Sequence, residues 1–148
     1  MASSPRELFT RLVNAMDARD LDALAEIIHP EIVVTFPQSG ERIRGLDSFR
    51  MQIENYPGGA PPSSPATARV LGDEERWAIS PNYTVVPLAS PSVFTIIQRV
   101  QYPDGLIWHV VTIAELRDDR VYRVENYFAP ETEPPEWRRG MAELLPRE

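Results

Sequence analysis

Cysteine is absent from this chain of 148 residues, which excludes disulfides and thiolate metal sites and removes any sign of an oxidising compartment. Lysine is absent too: all 15 basic residues are arginines, scattered without a basic run, against 22 acidic residues and a net charge of −7. That balance argues against a partner held by its phosphate backbone, so no nucleic acid is expected. No apolar run approaches the ~20 residues of a membrane span, so no membrane partner is expected. Met1 to Pro5 lacks the basic stretch and apolar run of a secretion leader, and the expected location is cytoplasmic. Histidine is scarce. His29 and His109 stand alone, far from any His-Glu-x-x-His spacing, so neither a metal nor a cofactor is expected. Gly58-Gly59 opens no helix and forms no phosphate loop.

What is present is an ordinary globular mixture, 43% hydrophobic and 25% charged. A chain of this length buries roughly 70% of its unfolded surface, enough for one core. Ser4-Pro5-Arg6-Glu7 has the pattern of a capping box with proline in the first turn, and Leu8, Leu12 and Met16 continue at helical spacing. Asp20 reads as a second N-cap before Leu21, Leu24, Ile27 and Ile28, and His29-Pro30 reads as the end of that helix, with His29 capping its last carbonyls. Glu31 to Phe36 predicts a strand, Arg42 to Arg44 a short one, and Asp47 or Ser48 the cap of a third helix bearing Phe49, Ile53 and Tyr56 on one face. Residues 57 to 65 predict a loop. Strands are predicted over 66–71, 76–79 and 83–88. Val93–Tyr102 and Leu106–Arg117 form a hairpin through Pro103-Asp104-Gly105, and Asp118-Asp119 turns the chain into Arg120–Phe128. The absence of βαβ alternation removes the parallel α/β folds. The tail, 131–148, is acidic and proline-rich, with Trp137, Met141, Leu144 and Leu145 available to pack on the domain of 1–130 or on a partner subunit.

Three stretches carry a resemblance. Arg19-Asp20-Leu21-Asp22-Ala23-Leu24 lies between the first two helices, and His29-Pro30-Glu31 leads into the first strand. Ala114-Glu115-Leu116-Arg117-Asp118-Asp119-Arg120-Val121 is followed by Asn126-Tyr127-Phe128-Ala129-Pro130. In order and spacing these resemble the NTF2-like superfamily, in its SnoaL-like branch, over about residues 6 to 130. The chain departs from the usual pattern at Asp119, where glycine is usual, and at Ala129, where aspartate is frequent. The resemblance implies an α+β, cone-shaped NTF2-like (cystatin-like) fold, with three N-terminal helices against a curved antiparallel sheet. It also implies an inner face: Leu12 and Met16 from the first helix, Phe36, then Phe49 and Ile53 from the third helix. From the strands it adds Ile96, Gln98 and Val100; Trp108, Val110, Thr112 and Ala114; and Tyr122, Val124, Asn126 and Phe128. Such a lining suits a small apolar ligand, the preferred reading, and is also what a filled core looks like.

The chemistry of the branch is then tested residue by residue. The base and oxyanion positions of a ketosteroid-isomerase-like member fall on Phe36, Leu12 and Thr112, none of which moves a proton. The Asp-Arg-Asp relay of an epoxide-hydrolase-like member is missing as well: its penultimate-strand positions fall on Val110 and Thr112 and its last-strand acid on Asn126. His109 and Tyr122 remain as catalytic candidates, although His109 alternates with Trp108 and so points outward if Trp108 points in. A register one residue different would instead bring Ile107, His109, Val111, Ile113 and Glu115 inside. Asp17 and Glu54 read as solvated residues near a pocket mouth, and Asn82-Tyr83-Thr84 matches a glycosylation sequon without a secretion signal. Ile107, Val111, Ile113 and Val121 are expected outside, on a face that needs a cover. The resemblance implies a homodimer through that face, with Arg123, Glu125, Glu115 and His109 in the interface. Three functions stay open: a SnoaL-like isomerase, cyclase or dehydratase, a ligand-binding protein without catalysis, and a structural dimer module.

Overall fold

The computed structural model describes residues 3–56, 77–80, 83–88 and 90–144. The expected loop at 57–65, the strand at 66–71, Asn82 of the sequon and Leu145 lie outside these residues.

Helix α1, Pro5–Ala18, starts on the expected capping box: the Ser4 hydroxyl accepts from the Glu7 amide at 3.3 Å, and the Glu7 carboxylate accepts from the Ser4 amide at 2.9 Å. It ends on Arg19, in the left-handed region at φ 53°. Helix α2, Leu21–Ile27, is capped by Asp20, whose carboxylate accepts from the Ala23 amide at 3.0 Å. The helix stops one residue before the expected end, because Ile28 is already extended. Strand β1 is Ile28–Phe36 and contains the His29-Pro30 step. Strand β2, Glu41–Arg44, leads to helix α3, Leu46–Glu54. The cap of α3 is Gly45 and not Asp47 or Ser48: at φ 85° and ψ 156° the chain turns where only glycine sits without strain.

Strands β3 (Trp77–Ser80), β4 (Tyr83–Pro87), β5 (Val93–Gln101), β6 (Ile107–Arg117) and β7 (Arg120–Pro130) complete a seven-stranded sheet ordered β2-β1-β7-β6-β5-β4-β3. Gly105, at φ 85°, serves the β5–β6 turn. Asp118 and Asp119 take φ 52° and 58° in the β6–β7 turn, a conformation that aspartate tolerates better than most residues. The sheet is mixed, which corrects the expectation of a wholly antiparallel one: β1 runs parallel to β7 through Val33↔Arg123, Val34↔Val124 and Thr35↔Glu125. The order puts the first strand beside the last, and both run the same way. Nor do the helices form one N-terminal group, since β1 and β2 separate α2 from α3.

The core lies between the helices and one sheet face. Phe9, Leu24, Ile32, Val85 and Val121 are almost fully buried, and Phe9 meets Phe94 edge-on at 5.1 Å. At the other end of the sheet the backbone amide of Glu131 donates to Ile107 at 2.8 Å. Beyond it the tail residues Trp137, Met141 and Leu144 are 71%, 74% and 78% exposed, so they do not pack on the domain. Among the described residues no helix is long and apolar enough to cross a membrane.

Candidate functional site

A cavity of about 220 Å3 opens between α1, α3 and the inner sheet face. Two pairs of positions one turn apart, Leu12 with Met16 and Val13 with Asp17, face it from α1. Phe49, Gln52, Ile53 and Tyr56 face it from α3 and the residues just after it, and Ile28, Val34 and Phe36 from β1. The long strands contribute by alternation: Ile96, Gln98 and Val100 with Tyr102 beyond them, then Val110, Thr112 and Ala114, then Val124, Asn126 and Phe128.

Two residues assigned to the inner face by the resemblance do not line this cavity. The first is Tyr122. Arg123 pairs with Glu115 but Val121 with Leu116, so β7 carries one extra residue at this point. That bulge reverses the alternation. Val121, expected outside, is 1% exposed and lines the cavity, while Tyr122 turns out. Its ring sits 5.2 Å from that of His29 with the guanidinium groups of Arg117 and Arg123 at 4.8 Å and 5.2 Å. The second is Trp108, which shares the inward parity but stands at the strand end, edge-on to Tyr102 at 6.4 Å. The other expected lining residues all face the cavity. Alternation of polar and apolar residues gave no sign of Tyr102, because it follows the last paired residue of β5.

His109 also lies outside the cavity, on the outer face. Its Nε2 is 3.2 Å from Glu131, whose carboxylate is held by Arg99 through bonds of 2.9 Å and 3.2 Å. Neither catalytic candidate, His109 or Tyr122, therefore reaches the cavity, and the alternative register is not the one adopted. His29 caps no helix: its Nδ1 accepts from the Glu31 amide at 3.0 Å and its Nε2 faces Asp118 at 3.6 Å.

Within the cavity the polar groups are few and ordered. Thr112 donates its hydroxyl hydrogen to Asn126 Oδ1 at 2.7 Å. The two residues pair directly across β6 and β7. With the carbonyl oxygen so engaged, the Asn126 amide nitrogen is aimed elsewhere, and no described residue accepts from it. Tyr56 and Tyr102 stack at 6.2 Å with their hydroxyls 2.7 Å apart. Asp17 is the one carboxylate on the described wall, and it stands exposed at the end of α1. The arrangement can hold an apolar body and hydrogen-bond to a neutral polar group. Among the described residues no cluster of three metal-ligating side chains occurs.

A family model described as "SnoaL-like domain" matches residues 9–124. A search of the curated proteins found no match. Among solved structures, an NTF-2 like protein of unknown function from Burkholderia xenovorans LB400 is 24% identical, with TM-score 0.69 over 95% of this chain and 94% of that one. A protein from Kribbella flavida DSM 17836, provisionally named a ketosteroid isomerase, is 20% identical, with TM-score 0.69 over 99% and 93%. A steroid delta-isomerase from Pseudomonas aeruginosa is 14% identical, with TM-score 0.62 over 88% and 82%. These similarities show an NTF2-like fold, α+β with three helices and a curved mixed sheet.

Proposed function

The chain belongs to the SnoaL-like domain family, and we propose that it binds a small, mainly apolar molecule in the cavity between its helices and sheet. One observation carries this reading: in an apolar cavity, Thr112 orients the Asn126 amide so that its N–H groups have no acceptor among the described residues. The half-buried Asn126 amide faces an apolar cavity, and a ligand oxygen there would supply an acceptor for its N–H groups. At about 220 Å3 the cavity falls a little below the ~300–1,000 Å3 of drug-sized sites, which favours a slim ligand.

A second reading, proton transfer of the isomerase, cyclase or dehydratase kind, is favoured by Asp17. One similar structure is that of a steroid delta-isomerase, and Asp17 is a carboxylate on the cavity wall here. Its exposure and the absence of an acid at Phe36, Leu12 or Thr112 favour binding as the first reading.

The partner we propose is a second copy of the chain. Ile97, Val111 and Tyr127 are 38%, 37% and 38% exposed on the outer face, and the exposed Trp137, Met141 and Leu144 lie in the tail that follows β7.

The test is mass spectrometry of small molecules extracted from freshly purified protein and from its Asn126→Leu variant. A stoichiometric apolar compound in the first and its loss from the second would support the reading. A folded protein that carries no compound, and takes up none from a panel of apolar carbonyl compounds and phenols, would refute it. With a ligand in hand, Asp17→Asn separates the two readings: turnover lost with binding kept would favour catalysis.

A further inference from the structure

The turn between β6 and β7 gathers three arginines, in a chain whose net charge is −7. Arg117 and Arg120 pair directly across the two strands. Their neighbours Leu116 and Val121 pack into the core, so by alternation both arginines belong to the outer face. Arg123 pairs with Glu115 a step further along. Between them Tyr122 is the extra residue of the bulge, so Tyr122 and Arg123, consecutive in the chain, both point outward. A regular strand would send one of the two inward.

Like charges directly opposite one another on a sheet repel, and acids stand close by: Glu115 opposite Arg123, and Asp118 and Asp119 in the turn itself. Yet none of the three guanidinium groups forms an ion pair or hydrogen bond among the described residues. Asp118 instead faces His29 at 3.6 Å. Arg117 and Arg123 lie over the Tyr122 ring, at 4.8 Å and 5.2 Å from its centre. That ring is braced edge-on by His29, which is buried and held through its Nδ1 by the Glu31 amide. A ring face attracts a guanidinium and leaves its N–H donors free. The Tyr122 hydroxyl also has no partner among the described residues.

Donors gathered without acceptors, on two strand ends tied by one turn, make a receptor for an oxyanion. A carboxylate is satisfied by a single bidentate guanidinium. Three guanidiniums and a hydroxyl match the three terminal oxygens and nearly two negative charges of a phosphate monoester. We infer that Arg117, Arg120, Arg123 and the Tyr122 hydroxyl form a binding site for a phosphate monoester, the chemistry that a free metabolite and a phosphorylated side chain share. The site is separate from the cavity and independent of its reading. It lies at the turn end of the outer face, four residues along β7 from Tyr127.

The test follows the arginine Nε–Hε and backbone amide resonances of isotope-labelled protein by NMR, at neutral pH and constant ionic strength. The probes are methyl phosphate, a short phosphoserine peptide and acetate. Saturable shifts at Arg117, Arg120 and Arg123 are expected with methyl phosphate, and acetate should bind about tenfold more weakly. Arg120→Gln and Arg123→Gln, shown by their spectra to be folded, should each weaken methyl phosphate about tenfold, the worth of one charge-assisted hydrogen bond. Tyr122→Phe keeps the ring beneath the arginines and should weaken it several-fold. Both phosphate probes uphold the inference: a peptide bound no more tightly than methyl phosphate points to a free ester, and one bound more tightly points to a phosphorylated partner. Equal affinity for acetate and methyl phosphate would mean general charge screening and would overturn it. Absence of saturable shifts in the wild type would overturn it too, as would binding confined to a monomeric Val111→Arg variant, because a second copy would then occupy the arginines.

Discussion

The side chain of Gln38 completes both backbone bonds of Phe128: its amide donates to the Phe128 carbonyl at 2.9 Å, and its carbonyl accepts from the Phe128 amide at 2.6 Å. A residue just after β1 thus extends the ladder to β7, beside the stacked rings of Phe36 and Phe128 on the cavity wall. Gln38→Ala should cost about 1 kcal/mol, measured by urea unfolding. Gln38→Glu should cost at least as much, because a carboxylate cannot donate to the Phe128 carbonyl. No loss in either variant would make the pair incidental.

Gly45 should tolerate no side chain. An added Cβ meets nothing within 4 Å, so the penalty is conformational and not a clash. Gly45→Ala is expected to cost about 1–3 kcal/mol in chemical unfolding. Weaker placement of α3 should also lower ligand affinity through Phe49, Ile53 and Tyr56.

Thr112→Val keeps the shape and removes the hydroxyl that holds Asn126 Oδ1. Ligand affinity should fall several-fold, up to about tenfold, with little change in melting temperature. Asn126→Leu should abolish the polar contribution altogether. If binding survives both changes, the ligand is held elsewhere.

Tyr127 titrates above its ordinary 10.0, because its hydroxyl bonds to Glu125, with burial and the carboxylate's charge adding to the effect. The folded state thus holds this proton more firmly than the unfolded state. The corresponding stability is complete below pH 10.0 and is lost as pH rises through the folded-state value. Melting curves in alkaline buffers should show the wild type losing stability faster than Tyr127→Phe in that window. Parallel curves would remove the assignment.

Self-association through the outer face makes Val111→Arg the informative change. The wild type should sediment as a dimer at micromolar concentration, and the variant as a folded monomer. A wild type that stays monomeric at all concentrations would remove the proposed interface.

Local rules sufficed for much of the fold. The Ser4–Glu7 box, the Asp20 cap and the Pro103-Asp104-Gly105 turn involve partners within a few residues, so their chemistry is written in short stretches of chain. The family resemblance chose the inner face, and alternation carried that choice along the strands to Thr112, Asn126 and most of the cavity wall, because parity holds along any unbroken strand. Tertiary structure decided the rest, and each case has a reason. The extra residue beside Glu115 and Leu116 exchanged Tyr122 for Val121, since a bulge changes parity without a mark in the hydrophobic pattern. The parallel pairing of β1 with β7, and the meeting of Tyr56 with Tyr102, join residues far apart in the chain. Sequence alone determined which segments would be helices and strands, whereas only packing between distant segments decided which polar groups share the cavity.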